Sequence, residues 1–355
     1  MKIQSLARHD ILCLKPYQSA RKLARSSAGH LWLNANEFPI APNYYSLNQE
    51  KIHRYPMCQP QEIIHKYACY AGIQSKQILV SRGADESIEL LMKVFCNPTK
   101  DTIIFCPPTY GMYKTTADIL GIKYKIIPKK KHWQIDLAHI KSQLNNVKLI
   151  YICNPNNPTG NLIHLNSLKK LLKITKNKAL LIIDEAYIDF CINSSLASWL
   201  SAYSNLVILR TLSKAFALAG LRCGFTLANP EIINLLKKVI APYPISTPVI
   251  DIVTQALTPE SIKYTHERIN TINKNRNILI AALKQCTCVQ KVFISYANYV
   301  LVKFNPKYKV FKKLLKKGII LRDQSYQPGL NNCVRITVGT YNECHYLISI
   351  LKKII

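Results

Sequence analysis

The lysine at position 214 lies in an unusual sequence context. It stands in the segment RTLSKAFALAGLRCG, among apolar residues, shortly after the strand-like run Leu206 to Leu209. Apolar surroundings lower the pKa of an amine, and a neutral amine is a nucleophile that condenses with an aldehyde. Taken alone, a lysine at a helix start whose ammonium reaches water is the simpler interpretation. Ser213 and Arg222 change this balance, because together they can bind a phosphate dianion beside the amine.

A carboxylate and a phenol follow another strand-like run. Asp184 closes the segment LLIID, and Tyr187 comes three residues later. The carboxylate can simply cap the next turn. Opposite a pyridine nitrogen it would instead keep that nitrogen protonated, so that the ring accepts the electrons of a substrate carbanion. Tyr187 can reach a phenolic oxygen on the same ring.

Three further motifs also follow strand-like runs. Asn157 lies in NPNNPTG, where a rigid turn alone explains the composition, although such a turn also aims one amide at a ligand. Tyr110, in CPPTYGMY, can stack on a flat aromatic cofactor or fill core or surface space. SRGADE opens a helix, and the amides of Ala84 and Asp85 can bind phosphate there. Its Ser and Glu are equally consistent with an ordinary helix start.

The elements that position these residues form an alternating pattern between about residues 78 and 245. Short apolar runs alternate with amphipathic stretches such as Asp85 to Cys96 and Asn166 to Thr175. The pattern predicts an α/β fold with a buried, mostly parallel mixed sheet covered by helices on both faces. The strand-like runs are Ile78 to Val80, Thr102 to Cys106, Leu149 to Cys153, Leu180 to Ile183, Leu206 to Leu209 and Arg222 to Leu227. Ligands bind outside the carboxyl ends of such strands, so the five motifs are expected to converge.

The chain is long enough for two domains. Residues 1–45 are expected to form an N-terminal arm and part of a small domain, 46–245 a large domain, and 246–355 a smaller α+β domain. The proline-rich segment APYPISTP, residues 241–248, is interpreted as the linker. After it come a long polar helix (Pro259 to Lys284), three strand candidates (Tyr299 to Phe304, Gly318 to Leu321, Cys333 to Val338) and a closing helix (Asn342 to Ile354).

The composition excludes several classes of function. The formal charge of +29 invites a nucleic-acid interpretation, but only 11 of the 48 basic residues are arginine and the lysines are scattered, which favours a solvated basic surface. None of the 12 cysteines forms a C-x-x-C pair, and the 9 histidines lack metal-ligand spacing, so no structural metal is expected. No apolar run approaches the ~18–20 residues of a membrane helix, and no signal peptide is evident. We therefore expect a cytoplasmic protein.

The motifs, in their order along the chain, carry a resemblance. GADE, PPTYGMY, NPNNPTG, DEAY and TLSKAFALAGLRCG resemble the fold-type-I aminotransferases that use pyridoxal 5′-phosphate. LKPYQSARK, LNANEFP, RYP and RITVGT narrow the likeness to the histidinol-phosphate aminotransferases of histidine biosynthesis. The resemblance covers nearly the whole chain. It implies a large cofactor-binding domain, a small domain, and an enzyme that carries pyridoxal phosphate as an aldimine on Lys214.

The resemblance also implies roles for individual residues. Lys214, Asp184 and Tyr187 would be catalytic, with Lys214 moving a proton, Asp184 pairing with the pyridinium, and Tyr187 contacting the phenolic oxygen. The remaining cofactor-binding residues would be Ala84, Asp85, Tyr110, Asn157, Ser213, Arg222 and, from the neighbouring subunit of a homodimer, Tyr55.

Three residues would bind the anionic groups of the substrates. They are Tyr17, Arg322 and Arg335, with Arg335 also receiving the carboxylate of glutamate. The arginines offer charge-assisted hydrogen bonds to an anionic tail. An ion pair of Arg322 with Asp323 or Glu343 is the open alternative.

The implied reaction is the reversible transfer of an amino group between histidinol phosphate and 2-oxoglutarate, giving imidazole-acetol phosphate and glutamate. Ping-pong kinetics are expected, because each substrate reacts in turn with the enzyme. Two alternatives remain. A decarboxylase or lyase on the same scaffold would share the cofactor motifs, and a nucleic-acid-binding protein would use the positive charge.

Overall fold

The computed structural model describes residues 9–13, 29–42 and 52–353. The expected arm, residue Tyr17 and the LKPYQSARK segment lie largely or wholly outside these residues. Within the amino-terminal part, a short helix α1 (His9–Leu12) and strand β1 (Leu31–Trp32) are described. No helix in the described part of the chain is long and apolar enough to cross a membrane.

A seven-stranded sheet forms the centre of the molecule. Its strands are β2 (Ile78–Ser81), β3 (Thr102–Phe105), β4 (Lys123–Ile126), β5 (Val147–Cys153), β6 (Leu180–Asp184), β7 (Leu206–Thr211) and β8 (Gly224–Ala228). Their order in space is β2-β8-β7-β6-β5-β3-β4. The last five strands in this order are mutually parallel, and β8 is antiparallel to both of its neighbours. The predicted mostly parallel mixed sheet is confirmed.

Helices cover both faces of this sheet, which explains why its central strands are apolar throughout. Alternate residues of β5 join two different cores: Ile150 and Ile152 pack on one face, and Leu149 and Tyr151 on the other. The helices that precede, connect or follow the strands of this sheet in the sequence are α2 (Gln61–Ala71), α3 (Ala84–Phe95), α4 (Met112–Leu120), α5 (Leu137–Ser142), α6 (Leu165–Thr175) and α7 (Pro230–Lys237).

A second, antiparallel sheet of four strands lies in the carboxyl-terminal part, in the order β12 (Arg322–Asp323), β13 (Cys333–Thr337), β10 (Tyr299–Phe304) and β9 (Val289–Val292). A further short strand pairs in parallel with β1. The elements are α8 (Thr247–Ala256), α9 (Pro259–Lys284), β9 (Val289–Val292), β10 (Tyr299–Phe304), α10 (Val310–Lys316), β11 (Ile319–Ile320), β12 (Arg322–Asp323), β13 (Cys333–Thr337) and α11 (Tyr341–Lys352). This sheet carries both candidate substrate arginines.

The structure corrects three details of the sequence analysis. Strand β4 was missed, because its residues KYKI are exposed or only partly buried at the edge of the sheet and include two lysines. The strand predicted from Arg222 to Leu227 was placed two residues too early. Arg222 has a left-handed backbone (φ 53°), and β8 starts at Gly224. Thr247 and Pro248, assigned to the linker, instead begin α8, where a proline in the first turn is well tolerated.

The sheet gathers the chemical motifs at one edge. Strands β3, β5, β6 and β7 are parallel, so their carboxyl ends meet there. Strand β2 runs in the same direction as β7, because both are antiparallel to β8. The segments that follow β2, β3, β5, β6 and β7 are therefore neighbours in space although they are far apart in the sequence.

A cluster of buried charged side chains lies next to this edge of the sheet. Arg210 on β7 is 1% exposed and donates to Glu185 Oε2 over 2.9 Å and to Ser195 Oγ over 2.6 Å. Asp189 lies 3.9 Å from the same guanidinium and accepts a hydrogen bond from Tyr70 Oη at 2.7 Å. Removing one member of such a cluster leaves the others charged and buried, which is costly.

We expect Arg210→Ala to lower the free energy of unfolding by about 3–5 kcal/mol, because Glu185 and Asp189 then lose their buried counter-charge. Lys93→Ala is the control. It breaks the exposed i,i+4 pair with Glu89 and should cost less than about 0.5 kcal/mol. Chemical denaturation of both variants measures the free energy of unfolding. Equally small decreases in the two variants would show that the cluster does not stabilise the fold.

Candidate active site

A cavity opens at the carboxyl edge of the large sheet. It brings together nine of the residues predicted from the sequence, namely Ala84, Asp85, Tyr110, Asn157, Asp184, Tyr187, Ser213, Lys214 and Arg222. Cys153, Ala186 and Thr211 complete its lining. The convergence of the strand-end motifs is thus a property of the folded chain.

Lys214 lies in the wall of this cavity, three residues after the end of β7. Its Nζ donates a hydrogen bond to the carbonyl of Ala35 at 3.1 Å and lies 5.9 Å from the ring centre of Tyr187. Burial lowers the pKa of this amine to about 8, and the positive charge of Arg335 acts in the same direction. Near neutral pH a larger share of Lys214 is therefore neutral and nucleophilic than of a solvent-exposed lysine.

Asp184 is a buried carboxylate at the end of β6, 3% exposed. Its Oδ2 accepts a hydrogen bond from Tyr113 Oη at 2.6 Å, and its Oδ1 accepts one from the backbone N–H of Ala186 at 3.1 Å. Burial raises the pKa of Asp184 to about 6, against the lowering effect of these two donors. The carboxylate is thus ionised at neutral pH and ready to pair with a cation in the cavity.

Tyr113 was missed by the sequence analysis. It is fully buried in α4, one helical turn after Tyr110, and its ring stacks on Tyr151 with the centres 4.9 Å apart. The signal was present in PPTYGMY, where two tyrosines stand three residues apart on one side of a helix start. The sequence alone does not show that the second tyrosine reaches Asp184.

The side chains of Tyr187 and Asn157 contact each other. Two side-chain amides donate to the phenolic oxygen of Tyr187, from Asn36 at 3.0 Å and from Asn157 at 3.4 Å. Burial raises the pKa of Tyr187, so its hydroxyl keeps its proton. Asn36 belongs to the LNANEFP segment and also bonds Thr337 of β13, so it joins the two sheets behind this tyrosine. Its role was not predicted.

An anion-binding cradle lies at the other end of the cavity. Helix α3 begins at Ala84, and the first-turn amides of a helix point at an anion and carry a partial positive charge. Strand β8 approaches this turn closely: a Cβ on Gly224 would lie 2.5 Å from the carbonyl carbon of Gly83 and 2.6 Å from the nitrogen of Ala84. Only glycine at position 224 permits this approach. Ser213 and Arg222 add side-chain donors to the cradle.

Asp85 links the cradle to the ring of Tyr110. One carboxylate oxygen accepts from Tyr110 Oη at 2.9 Å, and the other lies 3.4 Å from Arg222 Nη2. The ring of Tyr110 meets Tyr113 edge-on, with centres 5.7 Å apart. Asp85 therefore holds an aromatic face and a guanidinium in fixed positions at one mouth of the cavity.

A second cavity adjoins the first and contains the two candidate substrate arginines. Tyr110, Asn157, Tyr187 and Lys214 line both cavities, and Arg322 and Arg335 line only the second. Arg322 and Arg335 are direct partners in the pairing of β12 with β13.

Arg335 is positioned for an anion. It is 7% exposed, and it donates to Asn157 Oδ1 at 2.6 Å and to the carbonyl of Asn34 at 2.8 Å. Its buried Nε has no hydrogen-bond partner among the described residues. A buried donor of this kind is costly unless a ligand satisfies it.

The alternative partners for Arg322 are engaged elsewhere. Asp323 Oδ1 accepts from the backbone N–H of Ser325 at 2.9 Å, and Glu343 Oε2 accepts from that of Thr340 at 2.7 Å, as a cap of α11. No ion pair of Arg322 with either carboxylate occurs in the described part of the chain.

Two predicted residues do not line these cavities. Tyr55 is 81% exposed and stacks on Tyr243, with ring centres 4.4 Å apart, in a groove that also contains Arg222. Its predicted contact with a neighbouring subunit stays a prediction. Tyr17 lies outside the described residues. No cluster of three potential metal ligands is found among the residues that the structure describes.

The pKa of Lys214 gives a direct test of this geometry. We expect its amine to titrate near pH 8, and Arg335→Gln to raise that pKa, because removing a nearby positive charge stabilises the ammonium. The rate at which an amine-reactive reagent labels Lys214 in the cofactor-free protein, followed against pH by peptide mapping, measures both values. An unchanged or lowered pKa in the variant would contradict the arrangement.

The fold is shared with solved enzymes that catalyse different reactions. The chain superposes on the histidinol-phosphate aminotransferase of Sinorhizobium meliloti, solved in complex with pyridoxal 5′-phosphate, with a TM-score of 0.87 and 20% identity over 99% of this chain and 97% of that one. It also superposes on the L-threonine-O-3-phosphate decarboxylase of Porphyromonas gingivalis, with a TM-score of 0.74 and 18% identity over 91% of this chain and 98% of that one. At these identities the likeness shows the fold alone.

Sequence comparison gives the family. A curated histidinol-phosphate aminotransferase from Blochmanniella pennsylvanica (strain BPEN) is 76% identical over 354 residues, which cover 100% of this chain and 98% of the relative. The family model described as aminotransferase class I and II matches residues 30–351. The chain therefore belongs to the aminotransferase class I and II family.

Proposed function

We propose that the chain is a pyridoxal-phosphate-dependent enzyme that transfers an amino group between histidinol phosphate and 2-oxoglutarate, giving imidazole-acetol phosphate and glutamate. The observation that carries the proposal is one cavity in which a desolvated amine, Lys214, faces a buried carboxylate, Asp184, and an anion cradle at the start of α3. The 76% identity to the histidinol-phosphate aminotransferase of Blochmanniella pennsylvanica supports the choice of substrate.

The donor set of the cavity fits pyridoxal phosphate group by group. The phosphate matches the amides of Ala84 and Asp85 with Ser213 and Arg222, and the close approach at Gly224 leaves this cradle compact. The pyridine nitrogen matches Asp184. The phenolic oxygen matches Tyr187 and Asn157, and the ring face matches Tyr110.

When bound, pyridoxal phosphate supplies a carbonyl that condenses with an amine and a conjugated ring that takes up electrons from the substrate's Cα. Lys214 is the residue that supplies the amine, and its depressed pKa keeps this group reactive near neutral pH. Its Nζ would then take the proton from the substrate's Cα as a general base and deliver it to the cofactor's C4′ as a general acid.

Asp184 would balance the positive charge on the cofactor's pyridine nitrogen. A pyridinium nitrogen beside it would form an ion pair inside a buried site, where the attraction is strong. Tyr113 orients the carboxylate through its 2.6 Å hydrogen bond, which leaves the remaining lone pairs for the cofactor nitrogen. Tyr113 is therefore a positioning residue.

Arg335 and Arg322 select substrates by charge. Both 2-oxoglutarate and the phosphate-bearing substrate are anionic, and guanidinium groups bind carboxylate and phosphate through paired hydrogen bonds. Because Arg335 also donates to Asn157, a bound anion is connected to the residues around the phenolic oxygen. We place Tyr17 with these arginines on the resemblance of its segment.

The complete enzyme is proposed to be a homodimer. Tyr55 projects from the surface next to the groove that contains Arg222, which suits a contact with the phosphate site of a second subunit. We also propose the domain division 1–45, 46–245 and 246–355, which is supported by the location of the two larger sheets on either side of residue 245.

Transamination is tested with the purified holoenzyme. With histidinol phosphate and 2-oxoglutarate, we expect glutamate to form and initial-rate plots to show the parallel lines of ping-pong kinetics. Lys214→Arg should lower kcat at least about 10³-fold, because the retained charge cannot replace a neutral amine. Glutamate release is measured in a coupled assay, and Lys169→Arg on the surface of α6 is the matched control.

Two results would contradict the proposal. Carbon dioxide release on incubation with glutamate, without formation of 2-oxoglutarate, would favour a decarboxylase on this scaffold. Unchanged activity of Lys214→Arg would remove the proposed nucleophile. Sequence-specific DNA binding at physiological salt would instead support the nucleic-acid interpretation.

A further inference from the structure

Gln324 shares a strand face with the two substrate arginines. It follows β12 directly, and its backbone N–H continues the pairing with β13 by donating to the carbonyl of Cys333 at 2.9 Å. Side chains alternate along a strand, so Gln324 points to the same side as Arg322, and Asp323 points to the other. The lining of the cavities is consistent with this alternation. Arg322, Arg335 and Gln324 line the second cavity described above, whereas Asp323 lines a different one.

A chain of hydrogen bonds fixes the orientation of the Gln324 amide. The backbone N–H of Thr109 donates to Gln327 Oε1 at 3.0 Å. A backbone nitrogen can only donate, so the oxygen of Gln327 must face Thr109 and its Nε2 must face the other way. That Nε2 donates to Gln324 Oε1 at 3.0 Å.

The amide nitrogen of Gln324 is therefore left facing the cavity. The residue is 2% exposed, and its Nε2 has no hydrogen-bond partner among the described residues. Because this nitrogen faces the cavity and has no partner in the described part of the chain, it is available to donate to an acceptor on a ligand. The anchor at Thr109 also prevents the amide from turning its oxygen to the cavity.

We propose that Gln324 is a specificity-determining residue that donates a hydrogen bond to the phosphate group of the substrate. This inference rests on the proposed function. A phosphate presents three terminal oxygens in a tetrahedral arrangement and carries a charge of about −1.5 to −2 near pH 7. A carboxylate presents two oxygens in one plane, which the paired donors of a guanidinium already match.

The third donor therefore distinguishes the two anionic tails that the enzyme must accept in turn. Arg322 and Arg335 attract the phosphate and the carboxylate alike by their charge. Gln324 adds an uncharged donor from a further direction, which suits the tetrahedral phosphate. An uncharged amide adds this contact without repelling the carboxylate of glutamate. Gln327 and Thr109 are the positioning residues of the arrangement.

Gln324→Met removes the donor and keeps the length of the side chain. In the holoenzyme, we expect kcat/KM for the histidinol phosphate half-reaction to fall about 10- to 100-fold, the usual effect of losing a hydrogen bond to a charged group. The glutamate half-reaction should change less than about threefold. Inorganic phosphate should inhibit the glutamate half-reaction of the variant more weakly than that of the wild type, by a similar 10- to 100-fold factor.

A second variant and a control separate recognition from structure. Gln324→Glu keeps an oxygen for Gln327 Nε2 but turns a carboxylate oxygen toward the cavity, so its loss for histidinol phosphate should exceed its loss for glutamate. It decides the question if Gln324→Met does not fold. Asp323→Asn, on the opposite face of the same strand, retains an acceptor for Ser325 and should leave both half-reactions unchanged.

The outcomes are distinct from those that test the proposed function. If the wild type does not convert histidinol phosphate, the proposed function itself fails. If the wild type converts it and Gln324→Met slows both half-reactions equally, Gln324 only shapes the cavity and the inference is overturned. Unchanged phosphate inhibition in a folded, active variant would overturn it as well.

Discussion

The site depends on keeping one amine out of water. Lys214 is held in a cavity that also contains Arg335, and both the burial and the positive charge disfavour its ammonium form. The same exclusion of water raises the pKa of Asp184 toward 6 while leaving it ionised at neutral pH. An amine that loses its proton readily and an ionised carboxylate thus coexist in one cavity, which suits chemistry that moves a proton at a substrate carbon.

The fold meets this requirement through close approach of backbone segments. Parallel strands bring four loops to one edge, and Gly224 allows β8 to touch the turn before α3. Beneath the edge, the buried Arg210–Glu185 pair neutralises charge directly next to Asp184 and Thr211. Arg335 of the carboxyl-terminal sheet reaches Asn157, and Asn36 of the amino-terminal segment reaches Tyr187, so both parts of the chain contact residues of the cavity.

Much of this arrangement could be predicted from local patterns. Apolar runs with polar residues at their ends predicted the buried sheet and the residues at its edge, because burial and strand ends leave signals within a few residues. The bounds of Pro259–Lys284 and Tyr299–Phe304 also agree with the structure. Edge strand β4 was lost, since its lysines and partial exposure remove the apolar signal.

Contacts between distant parts of the chain could not be predicted in the same way. Asn36 and Tyr187 are 151 residues apart, and Tyr113 reaches Asp184 across 71 residues. No local periodicity records such pairs. The hydrogen bonds from Thr109 through Gln327 to Gln324 could not be predicted either. The orientation of both amides follows from the backbone N–H of Thr109, which lies 218 residues from Gln327 in the sequence. Tyr17, Tyr55 and the domain bounds stay predictions.

The covalent role of Lys214 is the central claim. The most direct measurement reduces the purified holoenzyme with sodium borohydride, which fixes any covalent link between cofactor and amine, and then maps the labelled peptide by mass spectrometry. The account predicts one pyridoxyl group per chain on the peptide that contains Lys214, and none in Lys214→Arg. A label on another lysine, or no label on the active wild type, would contradict it.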